Sequence, residues 1–296
     1  MVLPKDYCDN HSIQPARKGA SPACPETLMK AIKDPNSGNQ KEFASTIGAL
    51  MHLCKTRPDI VPGVAYLSQH QKAPSETHLE LAKKIWEYVF STLDKGLTYK
   101  KSKEIRLIGY CDASWHAHES AHGHTGFYLA LSEDGTPIHV KSKKQTAIAL
   151  SSAEAEIMAL FACVRQVMYM RMLLEDMGEP QTHPTIIYED NQSAIMMSNQ
   201  YHSNSQSRHM ARKYKWINEV IRNGQVQLKY IRTDQQKADA LTKITVGKSF
   251  KTSRSNLLGE QLADDEHDEV LSRSGGVSTS SNRSRALTTF DEQLFV

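Results

Sequence analysis

The stretch IRLIGYCDAS, residues 105–114, decides how the chain is read. Residues 105–111 are mostly apolar and bulky, which reads as a strand, and Asp112 follows at its end. Working downstream, residues 127–131 read as a second strand and residues near 138–140 as a third, with a Glu-Asp-Gly turn at 133–135. That is an antiparallel meander. A long helix then begins after Ser151. Its apolar stripe is Ile157, Leu160, Phe161, Val164, Met168 and Met172, and it ends near Gly178. Residues 185–188 form a short apolar run expected to be a buried strand, and a short helix follows from Gln192. Another helix is expected over 207–222, stopped by Asn223-Gly224. Residues 225–231 alternate apolar and polar, as a half-buried strand does. Strands first, then helices with strands between them, predict an α/β fold: a mixed sheet flanked by helices.

Upstream, residues 42–99 look helical, with Phe43, Ile47, Leu50, Met51 and Cys54 at helical spacing. Thr77-x-x-Glu80 reads as a capping box opening a helix with the stripe Leu81, Ile85, Val89 and Leu93. Residues 1–41 hold five prolines and few apolar periods, which predicts irregular structure. Residues 251–296 are Ser-rich and acidic, which predicts disorder. The expected organisation is therefore 1–41 irregular, 42–99 helical, 104–250 an α/β domain, and 251–296 a tail.

Bulk properties narrow the function classes. Apolar residues make up 39% of the 296, and the mean hydropathy is −0.51. No run of about 18 consecutive apolar residues occurs, so no membrane association is expected. The first residues lack the basic-then-apolar pattern of a secretory signal. The five cysteines (Cys8, Cys24, Cys54, Cys111 and Cys163) form no CxxC pair, which argues against a disulfide scaffold. An intracellular protein, cytoplasmic or nuclear, is expected. Residues 259–296 carry eight acids against three bases, a balance of −5, and the rest of the chain stands at +8. A basic body permits a polyanionic partner.

Four acids stand at strand ends or helix starts: Asp112, Glu156, Asp190 and Asp239. Magnesium is a hard cation that prefers oxygen ligands. Two such ions can activate a water and stabilise a leaving oxygen, and several carboxylates must converge to hold that charge. Singly, each acid has a plainer reading as a cap or turn residue. On the long helix, Glu154 completes Ser151-x-x-Glu154 and is expected to cap, leaving Glu156 for the site. Glu189 is expected to point away from the side that Asp190 faces, by strand alternation. Asp239 is expected to open the last helix.

The motifs GYCDASW (109–115), TGFYLAL (125–131), KSKKQTAIALSSAEAEIMAL (141–160), IYEDNQSAI (187–195), SRHMARKYKWI (207–217) and VQLKYIRTDQQKADALTK (226–243) resemble, as a set, the ribonuclease H domain of copia-type LTR retrotransposon Pol polyproteins. FASTIGALMHLCKTRPDI (43–60) and HLELAKKIWEYV (78–89) are similar to the segment following the reverse transcriptase palm in those polyproteins. The resemblance implies a ribonuclease H-like mixed five-stranded sheet flanked by helices and preceded by a small helical segment. It implies Mg2+-dependent cleavage of the RNA strand of an RNA–DNA hybrid, with two Mg2+ ions, replaceable by Mn2+, held by Asp112, Glu156, Asp190 and Asp239. The polymerising partner would be a palm supplied by the remainder of the polyprotein. Cellular ribonucleases H carry a His in the loop before the last acid. Residues 232–236 here carry none, as in copia-type members.

Hybrid recognition rests on phosphates, shape and 2′-hydroxyls. Lys141, Lys143, Lys144, Arg208, Arg212 and Lys213, with Lys215, are the candidate phosphate contacts; a solvated basic face is the plainer reading of each. His116, His118, His122 and His124 crowd one loop in no standard zinc spacing, and His209 matches a family His without an assignable role. Two other classes compete: an inactive remnant that only binds nucleic acid, and a strand-transfer enzyme using three acids. The presence of all four acids argues against both.

Overall fold

The described residues form one sheet of five strands, in the order β3-β2-β1-β4-β5. The strands are β1 (Ile108–Ser114), β2 (His124–Ala130), β3 (Pro137–Lys144), β4 (Thr185–Glu189) and β5 (Val226–Tyr230). β1, β2 and β3 form the antiparallel meander, while β4 pairs parallel to both β1 and β5. The sheet is thus mixed and five-stranded, as the resemblance implies, with β3 and β5 at its edges. The computed structural model describes residues 4–17, 21–22, 37–102, 104–115, 121–199 and 210–260. His116, His118, Cys24, Arg208, His209 and the acidic tail beyond residue 260 lie outside them.

The helices are α1 (Pro4–Asn10), α2 (Gln40–Leu53), α3 (Val61–Leu67), α4 (Glu76–Ser91), α5 (Ser152–Asp176), α6 (Gln192–Asn199), α7 (Ala211–Arg222) and α8 (Gly247–Leu258). α5 covers one sheet face: Ile157, Leu160, Cys163, Val164 and Val167 pack against Cys111, Phe127, Leu129 and Ile187. A 3-10 turn (Asp239–Leu241) and α8 cover the other face, setting Ala240, Leu241 and Leu257 against Tyr110 and Tyr128. Burying a Leu or Ile side chain stabilises by about 1.5–3 kcal/mol, so α5 is held chiefly by this packing. By length and composition α5 could also cross a membrane; here its buried side is the domain core. A separate cluster joins α2, α3 and α4 through Phe43, Ile47, Leu50, Val64, Ile85 and Trp86, and Phe250 of α8 enters it.

Several local expectations are corrected. β1 runs later than expected, so Asp112 lies inside the strand, opposite Gly126, rather than beyond its end. The cap of α4 is Ser75, whose Oγ accepts the His78 N–H while His78 Nδ1 accepts the Ser75 N–H. The box was misplaced because His here does the work usually done by Glu or Gln. Leu93 and Met172 fall on exposed positions. Residues 4–10 are helical, not irregular, because Cys8 is buried in the helical cluster and Tyr7 stacks on Trp86. The helix to Leu258 likewise extends past the expected start of disorder, because Leu257 and Leu258 are buried. Asp239 opens a 3-10 turn, not an α-helix.

Candidate active site

The site forms where two parallel strands part. β1 and β4 pair only from Ile108↔Ile186 to Tyr110↔Tyr188. Beyond that, Gln236 fills the widening gap: its Nε2 donates to Cys111 O at 2.8 Å and Tyr188 O at 3.4 Å. Divergence at the carboxyl ends of parallel strands leaves a crevice open to both faces of the sheet. Asp112 reaches it from β1, Glu156 from the first turns of α5, and Asp190 from the end of β4. One carboxylate oxygen from each lies within 4.8 Å of the others.

Local bonds aim these acids. Ser151 Oγ caps α5 by accepting the Glu154 N–H, and Glu154 accepts the Leu150 N–H at 2.8 Å. Glu154 therefore caps the helix start, though through Leu150 rather than the expected Ser151, and Glu156 is left to the crevice. The cap of α6 is Asn191, whose Oδ1 accepts the Ala194 N–H at 3.0 Å. Capping therefore does not claim Asp190. Thr242 Oγ1 donates to the Asp112 carboxylate and, at 3.1 Å, to Asp239 O. The segment bearing Asp239 and Thr242 seats here because Gly126, opposite Asp112, has no side chain. A Cβ on Gly126 would stand 2.6 Å from the Thr242 methyl and 3.0 Å from Ala238 O. Lys237 pins the same segment. Its Nζ donates to Glu133 O at 2.8 Å and lies 5.1 Å from the centre of the Tyr110 ring.

Asp239 is the exception among the four acids. It neighbours Asp112 electrostatically but stands outside the three-carboxylate cluster, and its side chain is ion-paired with Lys243.

Burial sets the electrostatics. Asp112 is 4% exposed and Glu156 6%. Desolvation first, then Asp239 and Asp190, push the Asp112 carboxyl up to about 6, against the pull of Thr242 and Lys243. Glu156 is raised further, by burial first and then by Glu189, Asp112 and Asp190, although Ala113 N–H donates to it. Glu156 Oε2 is sealed from water and has no hydrogen-bond partner.

Glu189 corrects the alternation argument. It is fully buried; one oxygen accepts the Asn191 N–H at 3.2 Å and the other has no partner. Strand alternation does turn it toward the α5 face, with Ile187, but Glu156 approaches from that face. The expectation that it turns away from the site assumed a site on one face, whereas this one straddles the sheet. Gln236, Thr242, Lys237 and Lys243 were also missed as site residues, although all lie in the VQLKYIRTDQQKADALTK stretch around Asp239.

The all-oxygen donor set of Asp112, Glu156 and Asp190 suits a hard divalent cation, and such an ion would satisfy the partnerless buried oxygen of Glu156.

The basic candidates divide into two groups. Lys141 and Lys143 are exposed on edge strand β3; with Lys144 and Lys55 they line a groove of about 630 Å3 between β3 and α3. Ser142 of β3 is in register with Gly126 and hence with Asp112, placing this edge two strand spacings, roughly 10 Å, from the acid. Arg212 and Lys213 instead border a pocket of about 420 Å3 with Phe161, Arg165 and Trp216, between α5 and α7. Tyr214 is buried in the core. Trp115 Nε1 donates to Ala149 O at 3.1 Å. His124 belongs to β2 rather than to the histidine loop, with Nε2 2.7 Å from Ser142 Oγ.

No family model matches the chain. It is 29% identical over 242 residues to the retrovirus-related Pol polyprotein from transposon RE1 of Arabidopsis thaliana, covering 82% of this chain and 16% of that protein. It is 31% identical over 217 residues to the corresponding polyprotein from transposon RE2 of the same plant, covering 73% and 15%. The chain thus spans about a sixth of the length of these relatives. A ribonuclease H1 isolated from compost aligns over 49% of this chain and 97% of its own, at 15% identity and a TM-score of 0.37. The matches to the two transposon proteins, joined to the motifs of this sequence and its sheet order, place this chain in the family of copia-type retrovirus-related Pol polyproteins, with a ribonuclease H-like fold.

Proposed function

We propose that this chain is a divalent-cation-dependent nuclease that hydrolyses the RNA strand of RNA–DNA hybrids. The observation that carries the reading is the meeting of Asp112, Glu156 and Asp190, from three separate elements, within 4.8 Å, with a buried Glu156 oxygen left unsatisfied. Nothing in the packing of a stable core favours that arrangement, since unpaired buried carboxylates cost stability.

Magnesium or manganese bound there would supply charge to activate a water and to stabilise the leaving oxygen of the phosphodiester. The chain's own groups set the geometry. Thr242 holds Asp112 in one orientation, the N-terminal cap of α5 fixes Glu156, and Asn191 leaves Asp190 uncommitted. Lys141, Lys143 and Lys144 on one side, and Arg212 and Lys213 on another, would neutralise backbone phosphates, with the 2′-hydroxyl distinguishing RNA. A reverse transcriptase palm from the rest of the polyprotein would supply the hybrid. The reading carries with it an intracellular site of action.

The test is cleavage of an end-labelled RNA–DNA hybrid in Mg2+. The chain is expected to cut the RNA strand only. Asp112→Asn and Asp190→Asn are each expected to lose more than about 100-fold, since losing a ligand should cost at least as much as losing the groups that orient one. A chain that binds hybrid but cuts nothing in Mg2+ or Mn2+ is a remnant that keeps only the binding function. Unimpaired cutting by both variants would place the site elsewhere.

A further inference from the structure

Among the described residues, Lys243 is a cation that this fold directs onto its acids. Its ammonium is ion-paired with Asp239, and it also interacts with Asp112 and Asp190. An i,i+4 pair on an exposed helix would be a minor surface contact. This pair is placed differently. Asp239 opens a 3-10 turn capped by Thr242, and the Lys243 N–H donates to Asp239 O at 3.1 Å, so the backbone sets Lys243 one turn beyond Asp239. The turn is fixed over the crevice by Gly126, which leaves room for it, and by Thr242, which donates to Asp112. The residue after Thr242 must therefore lie beside the acids.

Four acids could serve two cation positions. Three of them, Asp112, Glu156 and Asp190, converge as one oxygen cage, and the buried Glu156 oxygen without a partner points to an ion there. The remaining acid, Asp239, stands outside that cage and already holds a positive charge. We propose that the Lys243 ammonium occupies the second cation position, so that the substrate-free chain takes up a single divalent ion, at Asp112, Glu156 and Asp190. The proposal rests on reading those three acids as a divalent-cation site, and goes beyond it in assigning Lys243 and the ion count.

The test counts ions and does not depend on cleavage. The 296-residue chain, stripped with EDTA, is titrated with Mn2+, and free ion is followed by electron paramagnetic resonance. The wild type is expected to bind one ion per chain and Lys243→Met two. Lys243→Arg keeps the charge and should bind one. Lys243→Met combined with Asp239→Asn should return to one, and Asp239→Asn alone should stay at one. The Lys243 side chain is 52% exposed, so its removal should leave the melting curve of the ion-free chain nearly unchanged. Two ions on the wild type, or one on Lys243→Met, would overturn the assignment while leaving the proposed nuclease site standing. No ion on any of these chains would overturn both.

Discussion

Asp59 in the helical region and Glu156 beside the sheet are almost equally sealed from water, at 3% and 6% exposure, yet their surroundings are opposite. Asp59 receives two bonds from Arg57, at 2.9 and 2.8 Å, and a third from Tyr88 Oη at 2.6 Å. Arg57 directs two further N–H groups to Thr92 O and Thr92 Oγ1. Glu156 faces Glu189, Asp112 and Asp190, and one of its oxygens has no partner. The first carboxylate is satisfied by folding. The second is left incomplete by it, and an incomplete carboxylate buried among other acids is the mark of a site awaiting a cation.

The comparison breaks most visibly at Arg57. Arg57→Leu strands Asp59 as an unpaired buried charge and should cost about 3–5 kcal/mol. Replacing both residues, as Arg57→Leu with Asp59→Leu, should recover most of that loss, because a buried pair is often exchangeable for apolar packing. Chemical denaturation of the two variants decides it; a single variant within about 1 kcal/mol of wild type would mean that the network is not what closes this core.

The incomplete site should respond to what the complete one ignores. Mg2+ at a hundredfold excess over its dissociation constant should stabilise the chain by about 2.7 kcal/mol. Arg57→Leu should retain this increment, whereas Asp112→Asn should lose it. Thermal melts with and without EDTA measure both, and an equal increment in Asp112→Asn would locate the ion away from the crevice.

Titration separates the regions next. The Asp112 carboxyl is raised to about 6 in the fold, so the folded state holds its proton more tightly than the unfolded chain does. Its contribution is full below about pH 4 and is lost as pH rises through 6, on the order of 3 kcal/mol. In EDTA, wild type should therefore lose stability relative to Asp112→Asn between pH 4 and 7. A gap between the two that stays constant with pH would show that Asp112 is not titrating in a buried site.

How much of this was legible beforehand follows the same division. Strand alternation, the long stripe of α5 and the glycine stops are local signals, and they marked out the sheet and its main helix. The acids were visible because each sits in a short motif with a plain structural context. Glu189 was misjudged because alternation tells which face a residue takes, but not that β1 and β4 separate after Tyr110↔Tyr188 and open the crevice to both faces. Gln236, which spans that gap, is an ordinary loop residue until the strands are seen to part. α1 and the end of α8 went unread because their helicity comes from tertiary partners, Trp86 for Tyr7 and the sheet for Leu257, and not from their own periodicity.

The finest test of the comparison is Glu156→Gln, which keeps the shape and removes the charge. Burial and the facing carboxylates raise the Glu156 carboxyl far above its ordinary range, so the ion-free fold keeps it protonated where the unfolded chain is ionised. A permanently neutral side chain avoids that proton uptake. The variant should match wild type near about pH 3, where both are neutral in both states, and exceed it by at least about 1 kcal/mol at pH 8 in EDTA. Saturating Mg2+ should narrow or reverse the difference, because the ion stabilises the ionised carboxylate of the wild type alone. Stability gained by removing a functional charge is the expected trade at a site built for a ligand. A variant less stable than wild type at pH 8 in EDTA would mean that Glu156 is satisfied within the fold after all, as Asp59 is, and that the two regions do not differ in kind.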